Sequence, residues 1–127
     1  APSVPLRVGP VGSAVGVVTS RRTPMAERTL ARAGLDGVMD VLVGVDDVVK
    51  AKPDPEPVLM ALERLGLTGR ESQTLFVGDS PFDIQAGRGA GTRTAAVLWG
   101  PFPHEVLRAE GPDHFVARPE ELLALRP

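Results

Sequence analysis

The chain contains no cysteine. That excludes a disulfide framework, a thiol nucleophile and a thiolate metal site. No apolar stretch approaches the roughly 18–20 residues that a membrane span needs. There is no block of like charge, and the formal net charge is only −2. Neither nucleic acid nor a membrane surface is therefore indicated as a partner. The first residues lack a basic segment followed by an apolar one, so no signal peptide is expected and a cytoplasmic setting fits. Internal repeats and low-complexity segments are absent. Lysine is scarce too: Lys50 and Lys52 are the only two among 14 basic residues, which makes each conspicuous. A chain of 127 residues, 43% apolar and 24% charged, has the means to build a single core.

Residues 1–13 are rich in proline and glycine and have no clear period, so they read as an irregular segment. From residue 14 to 127 short β-branched runs alternate with helical patterns. Ala14–Thr19 reads as a strand. Thr23 then reads as an N-cap, with Pro24 opening a helix that ends at Gly34. Val38–Val45 contains a second strand, centred on Asp40–Val43. Pro53–Pro57 opens a helix on which Val58, Leu59, Leu62 and Leu65 recur, and Gly66 stops it. Thr74–Val77, Arg93–Leu98 and a short edge piece at His114–Ala117 read as further strands. Pro81–Gly89, a weak segment around Leu107 and Glu120–Leu125 read as helices. This alternation predicts an α/β fold: a mostly parallel sheet with helices on both faces. Right-handed crossovers then gather the strand carboxyl ends on one edge, where open α/β sheets place their sites.

The densest signal is Phe76-Val-Gly-Asp-Ser-Pro-Phe-Asp83, followed by a small-residue helix. Asp79 ends an apolar strand, and Asp83 follows four residues later. Two acids at a buried strand end are costly unless a positive group sits between them. Mg²⁺, a hard cation with oxygen ligands, is the simplest occupant. The plain alternative is that Asp79 or Ser80 caps the helix and Asp83 favours its positive end. Thr19-Ser20 ends another strand and suits a phosphate oxygen, or is an ordinary helix start. Lys52 lies in Ala51-Lys-Pro-Asp-Pro-Glu-Pro57, where three prolines restrict the backbone and aim the ammonium. It is otherwise a solvated lysine on a Pro-rich loop. Asp46 and Asp47 are candidates to pair with it. His104 and His114 have no partner at ligand or catalytic spacing and read as surface residues. Trp99 and Phe102 either line the site mouth or cover the sheet end. Met25, Met39 and Met60 read as core filling.

Each signal is modest, but their order is specific. A strand ending in Thr19, then Lys52-Pro-Asp-Pro, then Gly78-Asp-Ser-Pro-Phe-Asp83, resembles motifs II, III and IV of the haloacid dehalogenase-like hydrolase superfamily. The likeness runs from about Ala14 to Leu125. The phrases GVVTS, KPDPEPVLMALERLG and VGDSPFDIQAGRGAGTRTAAV are most similar to the phosphoglycolate phosphatase and bacterial pyrophosphatase branch. The resemblance implies a three-layer, Rossmann-like core and a Mg²⁺-dependent phosphatase of small phosphorylated metabolites. It implies that Thr19 and the Ser20 backbone bind the phosphoryl group and that Lys52 stabilises developing charge. Asp79 would hold Mg²⁺, and Asp83 would support it directly or through water.

One departure stands out. The family opens with a strand ending in Asp-x-Asp, whose first aspartate is the nucleophile. This sequence has no Asp-x-Asp, and its first acidic residue, Glu27, already lies beyond Thr19. The helical cap that selects substrates is missing as well, and too few residues separate Thr19 from Lys52 for the second kind of cap. The usual first central strand is therefore expected to be lacking between the strands ending in Thr19 and Val77, leaving two unpaired edges. Residues 3–9, a strand from a second copy, or a separate N-terminal segment could fill that place. The expectation is a partial core at 14–127, the C-terminal part of a larger enzyme and inactive alone. Two alternatives stay open: a non-catalytic module that binds Mg²⁺ and phosphate, and a hydrolase of another reaction type, a dehalogenase or phosphonatase.

Overall fold

The computed structural model describes residues 14–34, 37 and 39–124. The expectations for residues 1–13, for the start of the second strand at Val38 and for Leu125 lie outside them. Among the described residues five short strands alternate with four α-helices. They are β1 (Gly16–Val18), α1 (Thr23–Arg32), β2 (Val41–Val43), α2 (Glu56–Arg64), β3 (Leu75–Gly78), α3 (Pro81–Gly89), β4 (Arg93–Val97), α4 (His104–Arg108) and β5 (His114–Val116). Every strand pairing is parallel, but the pairings form two separate sheets. β1 pairs with β2, with Val17 opposite Leu42. In the other sheet β4 lies between β3 and β5, with Val77 opposite Ala95 and Ala96 opposite Phe115. Among the described residues no ladder joins β1 to β3, the place where the sequence leads one to expect a gap.

The two sheets share one core. Val18 and Val43 from the first and Phe76 from the second cluster with Val58 and Ala61 of α2 and Ala86 of α3. On the larger sheet, Ile84 of α3 and Leu107 of α4 pack on Ala96. Ala95 and Val97, of opposite parity, share another cluster with Val116. That alternation follows from the pleat, which sends successive side chains to opposite faces. Gly87 lets α3 lie close to β3 and β4, because a Cβ there would sit 3.0 Å from both Phe76 and Thr94 side-chain atoms.

Several expected details change. Thr23 is not the N-cap of α1; it lies in the first turn, and the residue before the helix makes no side-chain cap. Met25 is 52% exposed rather than core, because Ala26 and Leu30, four residues apart, already form the buried stripe. Leu59 is likewise exposed, and Pro57 and Ala61 complete the inward face with Val58 and Leu62. The second helix starts at Glu56 rather than within the proline run. β2 begins at Val41; Asp40 instead accepts the Val15 N–H through its carboxylate at 2.7 Å. The C-terminal segment Pro119–Ala124 is a 3-10 helix.

Candidate active site

The turn from β3 into α3 is built by one side chain. Asp83, three residues inside the helix start, folds back over the strand end. Its Oδ2 accepts the Asp79 N–H at 3.1 Å and the Ser80 hydroxyl at 3.1 Å. The Ser80 oxygen in turn accepts the Asp83 N–H at 3.2 Å and so caps the helix. The capping alternative therefore holds for Ser80, and it leaves Asp83's other oxygen for a charged partner. Gly78 makes the fold-back possible: a Cβ there would lie 2.2 Å from that of Asp83.

The partner is Lys52. Its ammonium lies 2.5 Å from Asp83 Oδ1, and the two side chains are only 5% and 3% exposed. The expected pairing of Lys52 with Asp46 and Asp47 does not occur. Those acids turn the other way, onto the start of α1 and the end of β2. Asp46 accepts the Thr23 N–H at 2.7 Å and lies 2.8 Å from its hydroxyl. Asp47 accepts the Gly44 N–H at 2.9 Å. Those backbone hydrogen bonds, from Thr23 and from Gly44, hold the two carboxyls below the usual carboxylate range.

Asp79 is in the opposite state. Burial pushes its carboxyl above the ordinary range, and the neighbouring Asp83 charge pushes the same way, opposed by Lys52. The backbone at Gly100, just beyond β4, closes on it: a Cβ at Gly100 would lie 2.7 Å from that of Asp79. No local signal marks this approach, since Trp-Gly-Pro has the composition of a turn. Trp99, beside it, stays 44% exposed. Phe102 packs instead on the cluster of Ile84, Ala96 and Leu107.

Lys52, Asp79, Ser80 and Asp83 thus come together. Thr19 and Ser20 sit on the other sheet. The Thr19 N–H extends the β1–β2 ladder to Val43 O at 2.9 Å, and its buried hydroxyl oxygen accepts the Arg21 N–H at 3.1 Å. Ser20 is exposed. Among the described residues no hydrogen bond joins either of them to the Lys52–Asp83 cluster. His104 is exposed and meets Phe115 edge to face at 4.7 Å. His114 lies 2.7 Å from an Arg93 nitrogen. Neither histidine reaches the cluster by a hydrogen bond. A groove between α1 and β2, lined by residues such as Pro24, Leu30 and Met39, also lies apart from it.

The family model of haloacid dehalogenase-like hydrolases matches residues 10–97. The chain belongs to that hydrolase family. The N-acetylmuramic acid 6-phosphate phosphatase of Pseudomonas aeruginosa is 44% identical over 109 residues, which cover 85% of this chain and 47% of that protein. The pyrophosphatase PpaX of Bacillus velezensis is 38% identical over 112 residues, 88% of this chain and 51% of the relative. Among solved structures, a haloacid dehalogenase-superfamily hydrolase of subfamily IA from Geobacter sulfurreducens superposes with a TM-score of 0.70 at 31% identity. That match covers 90% of this chain and 49% of the other. The chain therefore spans about half the length of the curated relatives it matches. These matches bear out the haloacid dehalogenase-like reading and the α/β core.

Proposed function

We propose that these residues form the metal-holding and charge-stabilising half of a Mg²⁺-dependent phosphatase acting on small phosphorylated metabolites. The observation that carries this reading is the buried Lys52–Asp83 pair beside a carboxylate that burial pushes toward its neutral form. Burial and a like-charged neighbour acting together on a carboxyl are an arrangement that clusters at functional sites. The named relatives, which act on a pyrophosphate or a sugar phosphate ester, support phosphorus–oxygen chemistry. A phosphoglycolate-type substrate belongs to the same class.

The donor set fits Mg²⁺. The ion usually takes one or two carboxylates and completes its shell with water and substrate phosphate. Among the described residues no group of three or more histidines and carboxylates converges, so an all-protein cage is not on offer. Asp79 would hold the ion directly. Asp83, already engaged by three donors, would support it through water. The bound ion would neutralise phosphate oxygens. Lys52, fixed by Asp83, would face the charge that grows during transfer, and Thr19 with the Ser20 backbone would hold the phosphoryl group. The attacking aspartate of the family has no counterpart in this sequence, which lacks Asp-x-Asp. We therefore read the 127 residues as inactive until a strand carrying that motif completes the sheet. No helix among the described residues is long and apolar enough to cross a membrane, and a cytoplasmic setting is part of the proposal.

The test uses Trp99, the single tryptophan, beside the backbone that touches Asp79. Mg²⁺ should change its fluorescence in the parent chain and not in Asp79→Asn. Calorimetry should then detect inorganic phosphate binding that needs the metal. No response to either ligand sinks the proposal. Robust p-nitrophenyl phosphate turnover by the parent chain, abolished in Asp79→Asn, would overturn the inactive-alone part.

A further inference from the structure

The loop that delivers Lys52 is mostly at the surface. Val49, Lys50, Ala51 and Pro53 are exposed, Val49 at 92%. Lys52 alone among them carries its side chain into the interior. Such a loop has many paths open to it, and most would not leave the ammonium against Asp83.

Two anchors select the path. At the far end Pro55 packs over Gly89 of α3, where a Cβ would lie 3.3 Å from that of Pro55. At the near end Glu56, the first residue of α2, reaches back over the loop. Its Oε2 accepts the Val49 N–H at 2.6 Å and the Lys50 N–H at 3.4 Å. The Glu56 N–H is itself taken by Asp54 at 2.9 Å, and the Asp54 N–H by Ala51 O at 3.0 Å. Val49 and Lys50 are exposed, so water could satisfy their N–H groups at little cost. Burial does not require the carboxylate there. What it contributes is the choice of backbone path.

We infer that Glu56 is a positioning residue for Lys52, touching neither the ammonium nor any ligand. Its consequence for phosphate rests on the proposed role of Lys52, whereas the placement of Lys52 does not. A competing account makes Glu56 merely a favourable charge at a helix start. The two accounts part at Glu56→Gln, which removes the charge but keeps an acceptor oxygen. Glu56→Ala removes both.

With only two lysines in the chain, acetylation read by mass spectrometry reports each ammonium separately. In the parent, Lys50 should react freely and Lys52 slowly. Glu56→Ala should raise Lys52 labelling relative to Lys50 by about tenfold, with Glu56→Gln staying within about twofold of the parent. Calorimetry with inorganic phosphate and Mg²⁺ should follow the same order. Unchanged Lys52 protection in Glu56→Ala overturns the inference, as does equal loss in Ala and Gln variants or a parent Lys52 that labels like Lys50. If circular dichroism shows Glu56→Ala unfolded, Glu56→Gln decides: retained protection supports positioning, and lost protection overturns it. Labelling that follows the expected order in a chain that binds no phosphate upholds the positioning while removing the phosphatase reading.

Discussion

Carboxylates gather at the starts of two helices, α1 and α3, and are held in opposite ways. At the start of α1, Asp46 and Asp47 reach over from the segment after β2, sit near the surface and accept hydrogen bonds that favour their ionised form. Where β3 leads into α3, Asp83 is buried against an ammonium, and Asp79 is pushed toward its neutral form by burial and by its neighbour. The first turn is satisfied as it stands. The second concentrates negative charge where water is scarce, and a cation would relieve it. The contrast separates a turn that only has to fold from one to which the proposed function gives a binding role.

The largest effect should come from breaking the buried pair. Asp83→Ala leaves the Lys52 ammonium buried without its partner, and removing one member of such a pair costs about 3–5 kcal/mol. Urea unfolding would measure the loss. Replacing both members by apolar residues, Lys52→Met with Asp83→Leu, should recover most of it, since a buried ion pair contributes little net stability against a well-packed substitute. If the double variant stays as unstable as the single one, the cost lies in the capping bonds of Asp83 rather than in its charge. Gly78→Ala comes next. Its Cβ would meet that of Asp83 at 2.2 Å, and overpacking of this kind costs about 1–3 kcal/mol. An unchanged urea midpoint would mean that Asp83 moves freely, against a rigid second turn.

Much of this was legible in sequence because proline and glycine punctuate the chain. Pro81 and Gly89 bound α3 where expected, and Thr74–Val77 lies within one residue of β3. The division between β1 and β3 followed from a missing motif rather than from any local signal. Local rules failed where a partner came from far along the chain. Thr23 had the right residue type for a cap, but its hydroxyl is held by Asp46, 23 positions away. Lys52 lay nearer in sequence to Asp46 and Asp47 than to Asp83, 31 positions on, and only the topology decides among them. Glu56 and Gly100 carry no local signal for the same reason: an acid at a helix start and a glycine in a turn are ordinary until the fold shows what they touch.

The raised and lowered carboxyls give the comparison a smaller and more selective test. Because the Asp79 carboxyl is raised on folding, its ionisation opposes folding at neutral pH. Asp79→Asn should therefore raise Tm in metal-free buffer by about 2–3 °C. The penalty is fully present above the raised folded value, so the gain should fade as pH falls through it toward the unfolded value of 3.8. A variant melting below the parent at neutral pH would show that the Asp79 charge is already compensated. Asp46 has the opposite sign. Its carboxyl is lowered by the Thr23 hydrogen bonds, so its contribution is present above the unfolded value of 3.8 and lost as pH falls through the lower folded value. Asp46→Ala should lower Tm at neutral pH by only about 1–2 °C, since the site is exposed and water replaces the lost acceptor. That deficit should close in acid. Melting curves from neutral pH down to about pH 3 should therefore show the two variants approaching the parent from opposite sides. If both approach from the same side, the two turns do not differ in the way their carboxylates are held, and the binding role assigned to the second loses its electrostatic basis.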